Sequence, residues 1–173
     1  YFLKAYRNVE NSAETYQSLS RAAFEVNRDA IIVLNKDNLV EDFNGEIPRL
    51  WGLSNPPVKG THINHLAREA AKTLADPLQL RTGDTWSWPL EANQPVRYNF
   101  QDGRTIELES RKITIGGNQN GTILFFRDQT NFIRKQKEME QSSAVLRATF
   151  ELSGLGILVT RKSGKVIFYN DTY

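Results

Sequence analysis

The chain of 173 residues contains no cysteine, which excludes disulfides, thiolate chemistry, iron–sulfur clusters and cysteine-ligated zinc, and points to a reducing compartment. It also lacks any long apolar run. Ala30 to Leu34 and Ile123 to Phe126 are strand-sized, far short of the ~20 residues that a membrane helix needs. Charge of one sign is missing too: 22 Lys and Arg stand against 20 Asp and Glu, a net charge of +2, so no nucleic acid is expected as a partner. No HExxH, no Ser-His-Asp order and no glycine loop between a strand and a helix is present, which leaves no pattern for metalloprotease, triad or phosphate chemistry. Gly116-Gly117 falls in a hairpin turn instead. The chain opens at Tyr1 without Met or a signal-peptide pattern, so it reads as a fragment, with membrane attachment expected only through a segment upstream.

What is present belongs to a folding chain with a long solvated element. Hydrophobic residues make up 39% and charged residues 24%, slightly apolar-poor for a globule yet far from disorder. From Phe2 to Val26 the residues Phe2, Val9, Tyr16, Leu19 and Val26 fall on an a/d stripe with no Pro or Gly between them, which predicts a helix that dimerises in parallel through Phe2, Val9, Tyr16 and Leu19. Ala30 to Leu34 and Leu39 to Phe43 read as a hairpin around a polar turn, and Ile63 to Leu74 as an amphipathic helix stopped by Asp76-Pro77. A short helical segment around Leu78 follows. Strands are expected at Trp86 to Leu90, Val96 to Phe100, Thr105 to Ile115 and Thr122 to Phe126, as an antiparallel sheet. After Asp128-Gln129-Thr130 a charged helix begins, its stripe half polar with Gln136 and Ser143 at core-type positions, so its coiled coil is weak.

The chain repeats itself at an offset of 126: Phe24 and Phe150, Ile31 and Ile157, Val33 and Val159, Val40 and Val166, Asn44 and Asn170. Both copies read helix end, strand, turn, strand, Asn.

Three stretches, Phe24-Glu25-Val26-Asn27-Arg28-Asp29-Ala30-Ile31-Ile32-Val33, Gln101-Asp102-Gly103-Arg104 and Arg127-Asp128-Gln129-Thr130, give this order of elements its likeness to a family: the chain resembles a PAS sensor domain. They match that family's entry into its first strand, its Asp-Gly-Arg turn and its closing Asp-x-Thr triplet. The resemblance implies an α+β fold, a five-stranded antiparallel sheet with short helices on one face, flanked by N- and C-terminal coiled-coil-type helices. The implied organisation is a dimerisation helix over residues 1–18, a sensor domain over 19–130, a linker helix over 131–147 and the start of a second PAS-like domain over 148–173. The implied function is sensing or dimerisation in a cytoplasmic signalling protein such as a histidine kinase or diguanylate cyclase. The fragment itself is not expected to be an enzyme. Haem or flavin binding and a ligand-free dimerisation scaffold are the alternatives; no cofactor is named, and flavin–thiol photochemistry is excluded by the missing cysteine.

Candidate site residues follow. Trp51, Trp86, Trp88, Tyr98 and Phe125 could line a small-molecule pocket between sheet and helices or simply fill the core. Any ligand is expected against the helices from Ile63 to Leu80, near Trp51 and Trp86. Alternation puts Phe125 and Phe126 on opposite faces. Asp128 and Thr130 are assigned to signal transfer, Thr130 capping the next helix through the amide of Phe132 or Ile133. His62 and His65, three apart, have the spacing of a ligand pair or of an ordinary helix N-terminus, and no metal site is assigned to them.

Overall fold

In the computed structural model, the described residues are 2–53, 55–92, 94–115 and 119–170, with side chains described for these except 2–13, 115 and 119. The chain divides into two compact units, Tyr1–Thr130 and Asn131–Tyr173.

The first unit begins with helix α1 (Phe2–Val26), an unbroken run without Pro or Gly, followed by strands β1 (Ala30–Leu34) and β2 (Val40–Phe43). Their hairpin turns at Asn35, whose Oδ1 accepts the amides of Asp37 and Leu39 at 2.9 and 3.0 Å. Asn38 there takes a left-handed φ of 59°, a conformation Asn tolerates better than most residues. Helix α2 (Glu46–Trp51) ends on Gly52, again left-handed, the usual stop signal of a helix. Helix α3 (Ile63–Ala71) follows, then a 3₁₀ turn (Pro77–Leu80) started by Asp76, whose Oδ1 accepts Leu78 N at 3.1 Å. Two short strands, β3 (Arg81–Thr82) and β4 (Thr85–Trp86), precede the three long ones, β5 (Val96–Asn99), β6 (Thr105–Ile115) and β7 (Gln119–Asp128).

Five strands form one antiparallel sheet in the order β2-β1-β7-β6-β5, and the fold is α+β. One face carries Ile32, Leu34, Leu124, Phe126, Ile106 and Leu108 into a core that α2, α3 and Trp88 cover from the other side. The Asp-Gly-Arg turn fixes α2 to the sheet: Arg104 donates to the Leu50 carbonyl at 3.0 Å and lies over the Phe100 ring at 4.7 Å. Three expected elements differ, β7 being longer at both ends than Thr122 to Phe126. Helix α3 ends at Ala71 rather than Leu74, because Leu74 pairs with Phe100 in an isolated bridge. The strand expected from Trp86 to Leu90 stops at Trp86: Ser87 N still bonds the Leu80 carbonyl, the next place in the β3–β4 register, but beyond it Pro89 has no amide to donate.

The second unit holds most of helix α4 (Thr130–Leu152) and a hairpin of β8 (Leu158–Thr160) with β9 (Val166–Tyr169). The hairpin reproduces the first at the same offset of 126: Val33 pairs with Asp42 and Leu34 with Val40, as Val159 pairs with Phe168 and Thr160 with Val166, with a register shift at the same step. Among the described residues α4 buries no side chain, and no helix is long and apolar enough to cross a membrane.

Candidate functional site

The core of the first unit is aromatic. Trp51 at the end of α2 packs its ring 4.9 Å from Phe100, 5.4 Å from Trp88 and 5.4 Å from Phe126, edge-on to the last. Trp88 sits 5.2 Å from Phe126. Such tilted and edge-on contacts are the favourable geometries for aromatic rings. Trp51 Nε1, Trp88 Nε1 and Tyr98 OH are all buried without a hydrogen-bond partner among the described residues. Desolvation raises the Tyr98 phenol pKa.

Sequence reasoning offered five aromatics as pocket lining or as core, and the structure separates them. Trp51, Trp88 and Tyr98 are core residues. Phe125 is a correction: Ala30 and Leu108 pair with Phe126, which takes the inner face, so Phe125 lies on the outer face with Arg111 5.9 Å above its ring. Trp86, half-buried on β4, packs against the rim of the core and borders neither cavity beside it.

One cavity, about 550 Å³, opens between α3 and residues 52–53 and 55–61. Trp51, Leu53, Pro56, Val58 and Leu66 give it an apolar wall, and His65, Glu69, Lys72 and Thr73 give it a polar edge. Lys72 Nζ lies 2.6 Å from Glu69 and holds its carboxyl below the usual carboxylate range. A second cavity, about 620 Å³, is bordered by Asn38, His62, Thr85 and Trp88. The two histidines therefore edge different cavities. His62 is the N-cap of α3, its Nδ1 accepting Asn64 N at 3.2 Å, which commits that nitrogen to the helix.

At the exit of the sheet the structure corrects the chemistry assigned to Thr130. Its Oγ1 accepts the amide of Thr105, on β6, at 2.9 Å, and Gln129 N donates to the Thr105 carbonyl at 2.9 Å. The side-chain acceptor at the start of α4 is Asp128 Oδ1, 2.9 Å from Thr130 N. The hydroxyl thus ties the helix start to a strand 25 residues away in sequence instead of capping its own helix.

The entry side has a counterpart that sequence reasoning matched but gave no role. Asn44, fully buried, donates through Nδ2 to the carbonyls of Phe24 (3.3 Å) and Asp29 (2.8 Å), and its Oδ1 accepts Ile31 N at 2.9 Å. Asn170 repeats the set, donating to Phe150 (2.8 Å) and Leu155 (2.6 Å) and accepting Ile157 N at 2.8 Å. The signal was the repeat itself, which keeps Asn at both places.

Of the residues assigned to dimerisation, Tyr16 and Leu19 project from α1 at 75% and 62% exposure. The side chains of Phe2 and Val9 lie outside the described residues. Gly116-Gly117 also lies outside them.

No family model matches the sequence, and no curated relative matches it. Solved structures do. The PAS domain of BvgS from Bordetella pertussis is 15% identical with a TM-score of 0.52, the match covering 76% of this chain and 98% of that domain. The PAS domain of an HTR-like protein from Haloarcula marismortui is 19% identical at a TM-score of 0.45, over 70% of this chain and 98% of that one. The sensor region of a sensor histidine kinase is 18% identical at 0.40, over 60% of this chain and 40% of that one. The fold of the chain is the PAS fold.

Proposed function

We propose that residues 19–130 are the sensory PAS module of a cytoplasmic signalling protein, a histidine kinase or a diguanylate cyclase, and that the chain works as a homodimer through its flanking helices. The cavity of about 550 Å³ against Trp51 carries the reading. It offers an apolar wall with a polar edge, the mixture that orients a small molecule, and its floor residue belongs to the same ring cluster as Phe126 of β7. That strand runs straight to Asp128 and Thr130, the residues assigned to signal transfer. A ligand that moves Trp51 would press on β7, and the Thr130–Thr105 bond would pass the shift to the start of α4. The exposed Tyr16 and Leu19 on α1 and Phe132 and Met139 on α4 fit a parallel dimer that covers them. The region from Asn131 onward, with its repeated hairpin, fits a linker leading into a second PAS-like domain.

The test is mass spectrometry of small molecules released on denaturing the protein purified from its own host. The expected result is a bound compound that, added back, shifts tryptophan emission, and that Leu66→Trp, which fills the cavity, no longer retains. If no compound is released and Leu66→Trp leaves signalling in the full-length protein unaltered, the sensory reading fails and the module is a dimerisation scaffold.

A further inference from the structure

A polar chain runs from the end of α1 to the start of α4 without entering the aromatic core. Asn44 is its first link, holding the Phe24 carbonyl on α1 and the Asp29 carbonyl ahead of β1. The Asp29 carboxylate is the second: Arg127 Nε lies 3.1 Å from both of its oxygens and Nη2 2.7 Å from one. Arg127 is followed directly by Asp128, which accepts from Thr130 N, and Thr130 is bonded to Thr105. Asp29 and Arg127 stand one step beyond the last β1–β7 pair, Ala30 with Phe126, so the ion pair closes the sheet where one helix arrives and the other departs.

Exposed ion pairs usually contribute little, because water solvates both partners and the side chains must be ordered. This pair differs. The Asp29 side chain is 18% exposed, and the guanidinium grips it with two nitrogens, the geometry that fixes direction as well as distance. The repeat separates the duties of the two links. Asn170 keeps all three side-chain bonds of Asn44, yet Leu155 stands where Asp29 does. The asparagine clasp therefore works without a carboxylate, and the carboxylate of Asp29 serves Arg127.

We propose that the Asp29–Arg127 pair couples α1 to α4, so that a change at the end of the incoming helix reaches the outgoing one whether or not the cavity is filled. The module is then a relay for signals from upstream as well as a sensor. This extends the signalling reading above, but its test needs no ligand, so the two stand or fall separately. Hydrogen exchange is measured on the whole chain. Ala23→Gly loosens the last turn of α1, and the amides of residues 130–134 are expected to exchange about threefold faster in that variant. With Arg127→Gln as background the same Ala23→Gly change should leave those amides where they were. Arg127→Lys, which keeps the charge and loses the two-pronged grip, should at least halve the response and serves in place of Arg127→Gln should that variant not fold. If Ala23→Gly does not reach residues 130–134, or if its effect there survives both Arg127 substitutions, the pair is an ordinary structural contact and the proposal is wrong.

Discussion

Replacing Asn44 with Ala tests the entry clasp most directly. The side chain is fully buried and makes three bonds at 2.8–3.3 Å. Its loss strands the amide of Ile31, itself 3% exposed, and a buried donor without a partner costs about 1–3 kcal/mol. The Phe24 and Asp29 carbonyls lose a donor each, but water reaches those half-buried residues, so together they add only about 1 kcal/mol. The sum is ~2–4 kcal/mol, which at a urea m-value of about 2 kcal/mol/M lowers the midpoint by roughly 1–2 M. The assay is urea unfolding followed by tryptophan emission. All 3 tryptophans, Trp51, Trp86 and Trp88, lie in the first unit, so this signal reports that unit alone. Asn170→Ala, which removes the same bonds from the second unit, should leave the tryptophan transition in place. If Asn44→Ala lowers the midpoint by less than about 0.3 M, or if Asn170→Ala moves it equally, the clasp does not hold the first unit together as argued.

Two further outcomes follow from the exit and the rim. Thr130→Val deprives the Thr105 amide of its acceptor and should cost ~1 kcal/mol, read as faster exchange of that amide by NMR, while Thr130→Ser keeps it protected. At Asp42 burial raises the carboxyl pKa, but Lys59 at 3.0 Å and Arg21 at 2.7 Å outweigh it and hold the group below the usual carboxylate range. A carboxyl depressed in the folded state stabilises above its unfolded pKa of about 3.9 and loses that stabilisation as pH falls through the folded value. The urea midpoints of wild type and Asp42→Asn should therefore differ by a constant amount from neutral pH down to about 5 and converge below about 4.

The parts of this fold that were legible are those governed by local period. Strands β1, β5 and β6 announce themselves through β-branched and alternating residues, and the repeat needed only a comparison of the chain with itself. What stayed hidden depends on partners far away in sequence. Thr130 at a helix start reads as a cap because that is its commonest local use, yet the Thr105 amide, fixed by the β6–β7 register, takes the hydroxyl first. Asp29 and Arg127 both lie in stretches that carry the family likeness, but 98 residues separate them, and only the β1–β7 pairing brings them together.

The pocket shows the same division at the level of a single pair. Alternation requires Phe125 and Phe126 to face opposite ways, but both are large and apolar, so nothing local says which faces in. The choice falls to β1 and β6, whose Ala30 and Leu108 stand opposite Phe126 on the covered face. Once Phe126 is inside, Trp51 and Trp88 close on it at 5.4 and 5.2 Å while Phe100 packs 4.9 Å from Trp51, and the aromatics that looked like a ligand site fill one another's space. Room for a ligand is displaced outward, to the far side of Trp51. There the wall comes from Pro56, Pro57 and Val58 in a segment without regular structure. Such a segment has no period to read, so that wall could not be drawn from the sequence, whereas the side that α3 and Trp51 supply lies where a ligand was expected.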